Sequence, residues 1–483
     1  MTNPVGVLCV LVALGLATGA TMWGWYWKSL MISSKDAETE NQALAYLEEE
    51  VDFLRDENDR LLSRIYEIET GGGAEMEKFY RPLEIEARVA EIRGLKFKED
   101  VVFEVVEPEV IEAAVQKRIS ASYDDHAFDA MSLAWGAMGF TEPMMNLQQA
   151  WISVSARESV YYDSYRRSVL VRKEVDPENP FDVPELAREI CLALLDQHGA
   201  NLAEVEAMGD NMDSGLARRA FYRGQAALVA DVIGESTLGE QSLSEMPLHD
   251  SQNPINLVAA TPVPDFIRQV LTFPSIDGVA YCVQLRDEAG GFAVFDEMQN
   301  QGTIPQSTRM ILDGAALDAD ERAALSEKFS APSELGDLRL RGTEPIFVDT
   351  AGQFGMRSTI ETFLGMAELP EPTRVDDEPE ERAPVAQGWL ADRYAVFATG
   401  EEELSVIWES TWETVEAADA FVASLTVLAD IRYGMTPEET MERSDAFRFQ
   451  KILRPEPTRV VMIDAQTKDM VAELEEVYGG IGK

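Results

Sequence analysis

The chain has only three cysteines and three histidines in 483 residues. Cys9, Cys191 and Cys282 each sit in an apolar pattern, and no Cys-x-x-Cys pair occurs. That argues against a disulfide framework and against a thiolate zinc site. His126, His198 and His249 are too few and too scattered for a histidine-based metal centre. No metal and no cofactor is therefore expected. Basic residues are also scarce: 41 Lys and Arg against 87 Asp and Glu give a net charge of −46. So acidic a chain is repelled by nucleic acid and by anionic membrane surfaces. A solvated acidic surface is the simplest reading of that charge. Also absent are a Gly-x-Ser-x-Gly elbow, a phosphate-binding Walker loop, a dinucleotide fingerprint and a calcium-loop spacing.

Long uncharged runs are absent too, with one exception. Val5 to Trp27 carries no charge, and as a helix it is long enough to cross a hydrocarbon core of about 30 Å. Trp23, Trp25, Tyr26 and Trp27 followed by Lys28 read as an interfacial aromatic belt with a snorkelling lysine. Residues 1–28 are thus expected to be a transmembrane anchor. A cleaved signal peptide is the rival, since Ala17 to Ala20 are small, but no Lys or Arg precedes the apolar run. Lys28 and Lys35 on the far side favour a cytoplasmic C-terminal region on a simple count.

Residues 36–69 carry a strict seven-residue period. Leu44, Val51, Asn58 and Ile65 fall at a, and Leu47, Leu54, Leu61 and Ile68 at d. Over residues 37–68 this pattern predicts a two-stranded parallel coiled coil about 48 Å long, with Asn58 fixing register, and hence a homodimer. Gly71-Gly72-Gly73 opens a linker over 70–82.

The remainder alternates helical and strand patterns, which predicts an α+β fold. Ile85, Val89 and Ile92 define a helix ending at Gly94, and Val101–Val106 a strand. Tyr161-Tyr162-Asp163 reads as a turn before a strand at Ser168–Val171. Residues 182–198, from Asp182 as N-cap to His198 before Gly199, form an amphipathic helix. A polar loop follows, then a helix from about Asp213 to Ile233. Residues 366–387 are rich in Pro and acids and read as a linker. Tyr394–Ala398 and Leu404–Trp412 form a strand pair, and Ala417–Leu425 a helix.

Several of these stretches resemble, in order, a bacterial family of zincin-like metallopeptidases of the gluzincin type. Ile92-Arg93-Gly94-Leu95-Lys96-Phe97 resembles its opening "LRGL-x-F". Ala193-Leu194-Leu195-Asp196-Gln197-His198 resembles the second half of its metal helix. Phe273-Pro274-Ser275-Ile276-Asp277-Gly278 resembles "FPY-x-x-G", Ile304 to Thr308 resembles "PP-x-ST", and Gly388 to Tyr394 resembles "GWGGDR". The resemblance implies a zincin-like domain over 83–365, with 388–483 as a further α+β part of the same region. It also implies an extracytoplasmic location.

The resemblance stops at the chemistry. The two histidines of the family's H-E-x-x-H fall on Arg188 and Leu192, and its third ligand falls on Arg223 in Arg223-Gly224-Gln225-Ala226. Arginine stays protonated and leucine has no donor atom, so none of the three can hold a cation. Glu189 survives at the general-base position without a metal-bound water to deprotonate. The expectation is a catalytically inactive peptidase relative, acting as a binding or scaffolding module at the cell envelope. Two readings of the arginines stand side by side. They neutralise the old site by pairing with Glu185, Glu189, Asp196 or Asp231, or else Arg188, Glu189 and Arg223 line a cleft for an anionic group such as a peptide C-terminus. A hydrolase with a different site, and a purely structural cap on the stalk, remain as alternatives.

Overall fold

The computed structural model of the protein describes residues 82–122, 125–141, 145–155, 157–206, 211–238, 263–314, 338–364, 386–398, 404–433 and 448–481, with Asp320, Arg322 and Leu335. Contacts divide the chain into Met1–Lys78 and Phe79–Lys483. Every described residue belongs to the second unit. The expected membrane span and coiled coil, with the linker up to Arg81, lie outside the described residues. Among the described residues no helix is long and apolar enough to cross a membrane.

The fold is α+β. In chain order the first elements are α1 (Leu83–Arg93), β1 (Val102–Val106), α2 (Pro108–Ser122), α3 (Asp125–Met138), α4 (Leu147–Ser155), β2 (Val160–Asp163) and β3 (Ser168–Arg172). The central helices follow: α5 (Val183–Gln197), α6 (Leu202–Glu206), α7 (Met212–Leu238), α8 (Asp265–Ala289), α9 (Ala293–Gln301) and α10 (Thr308–Leu312). The last part comprises β4 (Phe347–Asp349), α11 (Gly352–Leu364), β5 (Trp389–Ala398), β6 (Leu404–Trp412), α12 (Val415–Tyr433), β7 (Phe449–Glu456), β8 (Arg459–Ala465) and α13 (Lys468–Ile481).

The first sheet has the order β1-β3-β2, with β1 parallel and β2 antiparallel to β3. The stretch expected as a turn, Tyr161 to Asp163, is therefore an edge strand. The turn comes after it: Asp163 Oδ1 accepts from the Tyr165 and Arg166 N–H groups at 2.9 and 3.1 Å, and Arg167 takes a left-handed φ of 56°. An Asp that bonds its own chain two and three residues on is a turn former, so Asp163 belongs both to the end of the strand and to the turn after it.

Helix α1 ends as its sequence demands. Gly94 adopts φ 68°, and the Gly94 and Leu95 N–H groups bond Glu91 O and Ala90 O, a left-handed stop that a glycine permits. Arg93 just before it is buried. It pairs with Asp296 at 2.8 Å, donates to Phe292 O, and lies over the Phe292 and Phe295 rings.

The second sheet, β4-β5-β6-β8-β7, is antiparallel throughout. Its strands alternate between two apolar faces. Tyr394, Val396, Val406, Trp408, Val460 and Met462 join the main core with Phe421 and Leu425 of α12. Ala395, Phe397, Ile407, Val461 and Ile463 face a separate cluster with Met470, Val471 and Leu474 of α13. Period-two alternation with both faces apolar requires a helix on each side. β4 and β5 are neighbours in this sheet although the acidic segment 366–387 separates them in sequence.

Candidate functional site

Helix α5 is buried on almost every side; from Val183 to Asp196 only Pro184 escapes. A buried helix must find partners for its charges. The expected N-cap at Asp182 does not form: its side chain makes no cap bond, and Oδ2 instead accepts from the Asp176 N–H at 2.9 Å and Asn179 Nδ2 at 3.1 Å. The other end holds as its composition suggests. Gly199 has φ 92°, and Asp196, Gln197 and His198 each tie down a neighbour. Asp196 accepts from the Tyr162 hydroxyl and the Leu202 N–H, both at 2.8 Å. Gln197 bonds the backbone of Lys98 and Glu99, and His198 Nε2 lies 2.8 Å from Lys96 O. These three side chains fasten the loop after α1 and the edge strand, which is a structural role.

β2 pairs only with β3, so its other edge carries N–H groups with no strand to receive them. Two glutamates of α5 receive them. Glu185 Oε1 accepts from the Ser159 and Val160 N–H groups at 3.2 Å each, and Glu189 Oε2 from the Tyr162 N–H at 2.8 Å. The second oxygen of Glu189 accepts from Arg188 Nε at 2.7 Å. Arg188 Nη2 is 3.9 Å from Glu185 and makes no hydrogen bond. Glu189 is thus committed on both oxygens, to a backbone N–H and a guanidinium. Leu192, one turn further on, is 2 % exposed in the core.

Arg223 projects from α7 to Glu206 of α6, Nε to Oε1 at 2.6 Å. The other Glu206 oxygen receives Arg118 Nη1 at 3.2 Å, and Arg118 lies over the Tyr161 ring at 5.6 Å. Burial pushes the Glu206 carboxyl up, but Arg223, Arg118 and Arg219 outweigh it and hold its pKa down at about 2. Burial pushes Glu185 up to about 8, with Arg188 and the Val160 N–H opposing. Glu158 is raised as well, by burial and then by the Glu189 charge, against the pull of Arg223, Arg188 and Arg118. Its Oε2 is buried and accepts no hydrogen bond.

Arg188 and Arg223 both feel the charges of Glu158 and Glu189. The structure therefore brings the two arginines into one cluster, in which three guanidinium groups (Arg118, Arg188, Arg223) face four glutamates (Glu158, Glu185, Glu189, Glu206). Of the carboxylates expected to neutralise the arginines, Glu189 pairs with Arg188 at 2.7 Å, Glu185 stands 3.9 Å from Arg188 with its carboxyl pushed towards the neutral form, Asp231 lies within electrostatic reach of Arg188, and Asp196 is taken up by Tyr162 and Leu202. Arg118, Glu158 and Glu206 were not legible as members. They lie on three other segments and share no spacing with α5 or α7. Among the described residues no group of three or more His, Cys, Asp or Glu is placed to hold a metal ion.

The small residues of the α7 segment also have a role. A Cβ on Gly224 would stand 2.5 Å from Gly278 O, and one on Gly278 would stand 2.6 Å from Ala220 O. α7 and α8 thus cross backbone to backbone, and Cys282 Sγ reaches Phe221 O at 3.6 Å across the same contact. Burial pushes the Cys191 thiol up to about 12 and that of Cys282 higher still, so neither is a nucleophile at neutral pH.

Residues 343–475 match a family model described as a domain of unknown function (DUF8575). No curated protein and no solved structure matches the chain. The matched stretch holds the whole second sheet with α11 and α12, and it excludes α5 and α7.

Proposed function

We propose that this chain is a non-catalytic, zincin-like protein that works as a binding or scaffolding module at the cell envelope, anchored by its N-terminal span and paired through its coiled coil. The observation that carries the reading is the charge cluster between α5 and α7. The three positions that resemble metal ligands hold Arg188, Leu192 and Arg223, and the arginines are bound to the chain's own Glu189 and Glu206 at 2.7 and 2.6 Å. Two internal ion pairs and a core leucine at those positions support this reading, because none of the three side chains offers a lone pair to a metal. The same pairing favours neutralisation over an anion-binding cleft, because an incoming carboxylate would have to displace Glu189 from the buried Arg188 or Glu206 from the half-buried Arg223.

Metal analysis of the purified full chain, with a protease assay in the presence and absence of a chelator, tests the reading. Zinc well below stoichiometric and no chelator-sensitive proteolysis are expected; one bound zinc per chain overturns it. Sedimentation of the full chain in detergent should give a dimer, and a monomer at every concentration removes the stalk from the proposal.

A further inference from the structure

Three aspartates are buried together where the second sheet meets the helices. Asp213 lies at the start of α7, Asp349 ends β4 and Asp392 lies in β5; they are 4 %, 9 % and 5 % exposed. Each bonds an element other than its own. Asp349 Oδ1 accepts from the Met212 N–H at 2.9 Å and from Thr350 N–H at 2.7 Å. Asp213 Oδ1 accepts from the Thr308 N–H at 2.8 Å and from the Thr308 hydroxyl. Asp392 accepts four bonds, from the Ala351 and Gly352 N–H groups and from the indoles of Trp389 and Trp408. Gly352 sits between two of the three. Its N–H donates to Asp392, and a Cβ on it would lie 2.0 Å from Asp213 Oδ1.

The charged groups on the surrounding elements are committed elsewhere. Arg309 of α10 pairs with Asp313 and Glu413, and Arg357 of α11 with Asp277 and Glu361. Glu409 of β6 pairs with Arg459, and Arg219 of α7 acts on Glu206. Arg393 follows Asp392 on the opposite face of β5. Among the described residues no lysine or arginine forms an ion pair with any of the three aspartates. Hydrogen-bond donors soften the charge of a buried carboxylate, but three such charges in one low-dielectric site repel each other, and full ionisation is costly. A proton is the simplest compensator.

We propose that this junction is a proton-operated latch, which binds protons as the pH falls from neutral and then holds the C-terminal sheet to the helices more firmly than it does at alkaline pH. Burial pushes Asp213 up to about 6, and Asp349 and Asp392 up to about 7, from an ordinary 3.8; the charges of Asp392 and Asp213 reinforce the shift in Asp349, and that of Asp213 the shift in Asp392. A carboxyl raised in the folded state favours that state most at low pH, and the gain is lost as the pH rises through the folded value. The latch is therefore strongest in mild acid and weakest above pH about 7.

Hydrogen exchange of the full chain, corrected for the intrinsic pH dependence of exchange, reads the latch directly. Protection of the Met212, Thr308, Ala351 and Gly352 amides should be about tenfold or more higher at pH 5.5 than at pH 7.5, while amides of Val169 to Val171 in β3 change little. Asp349→Asn keeps the Oδ1 acceptor and should shrink the difference. Equal protection at the two pH values, a change shared equally by β3, or an undiminished difference in Asp349→Asn overturns the proposal. So does restoration of protection at pH 7.5 by a divalent cation, which would make the site a metal site.

Discussion

Replacing Gly224 by alanine puts a Cβ where the Gly278 carbonyl already stands. The 2.5 Å approach is about 0.9 Å inside ordinary contact, which begins near 3.4 Å. The obstructing atom is backbone, so no rotamer change relieves it, and α7 and α8 must separate. Overpacking of this kind costs about 1–3 kcal/mol, and a rigid obstacle places it at the upper end. Alanine recovers about 1 kcal/mol of helix propensity, leaving a net loss of about 1–2 kcal/mol. Gly234, ten residues on in the same helix, is the control. Its Cβ would meet only the Pro184 side chain, at 3.3 Å from Cγ and 3.8 Å from Cβ, so Gly234→Ala should be neutral or stabilising by up to about 1 kcal/mol. Urea unfolding read by circular dichroism should move the midpoint down for Gly224→Ala and Gly278→Ala and not for Gly234→Ala, with the slope unchanged. Equal midpoints for Gly224→Ala and Gly234→Ala would refute the close crossing.

Other expectations follow from the charge cluster and the stalk. Arg223→Met leaves Glu206 with Arg118 as its remaining paired cation and should cost about 2–3 kcal/mol, less than the loss of a buried charge's sole partner; adding Glu206→Gln should recover part of it, and additive losses in that double-mutant cycle would show that the pair is not coupled. Glu185, raised to about 8 from an ordinary 4.5, contributes stability that declines as the pH rises between those values. Glu206, lowered to about 2, contributes stability that is lost as the pH falls from 4.5 towards 2. Glu185→Gln should therefore flatten the decline of unfolding free energy between pH 4.5 and about 8 and leave the loss below pH 4.5 alone, as read by thermal melts across pH. The triple variant Arg188→His, Leu192→His, Arg223→Glu should bind one zinc per chain if α5 and α7 keep zincin-like geometry; a folded variant without zinc in metal analysis would count against that geometry. If residues 36–69 form the proposed coiled coil, Asn58→Val removes its polar a position, and light scattering should then show a dimer giving way to mixed oligomers.

The sequence by itself determined much of the framework. Helix ends at Gly94 and Gly199 followed from glycines that permit left-handed φ. The parallel pairing of Val102–Val106 with Ser168–Arg172 came only with the tertiary structure, whereas the strands themselves, and the antiparallel pair of β5 and β6, followed from runs of β-branched and aromatic residues in the sequence. Its errors were local: Asp182 and Asp163 both looked like markers of the wrong feature, because a short acidic side chain suits a cap, a turn or a loop bond equally well. The sequence also established that Arg188, Leu192 and Arg223 cannot hold a metal, since that depends on side-chain chemistry alone. What those arginines touch was decided only by the tertiary structure. Glu206, Glu158 and Arg118 lie on separate segments, and their charges meet because α5, α6, α7 and β2 pack around one another. The same holds for the three aspartates of the junction: in a chain with 87 acidic residues no spacing sets them apart, and burial in one shared site is the physical fact that makes them different.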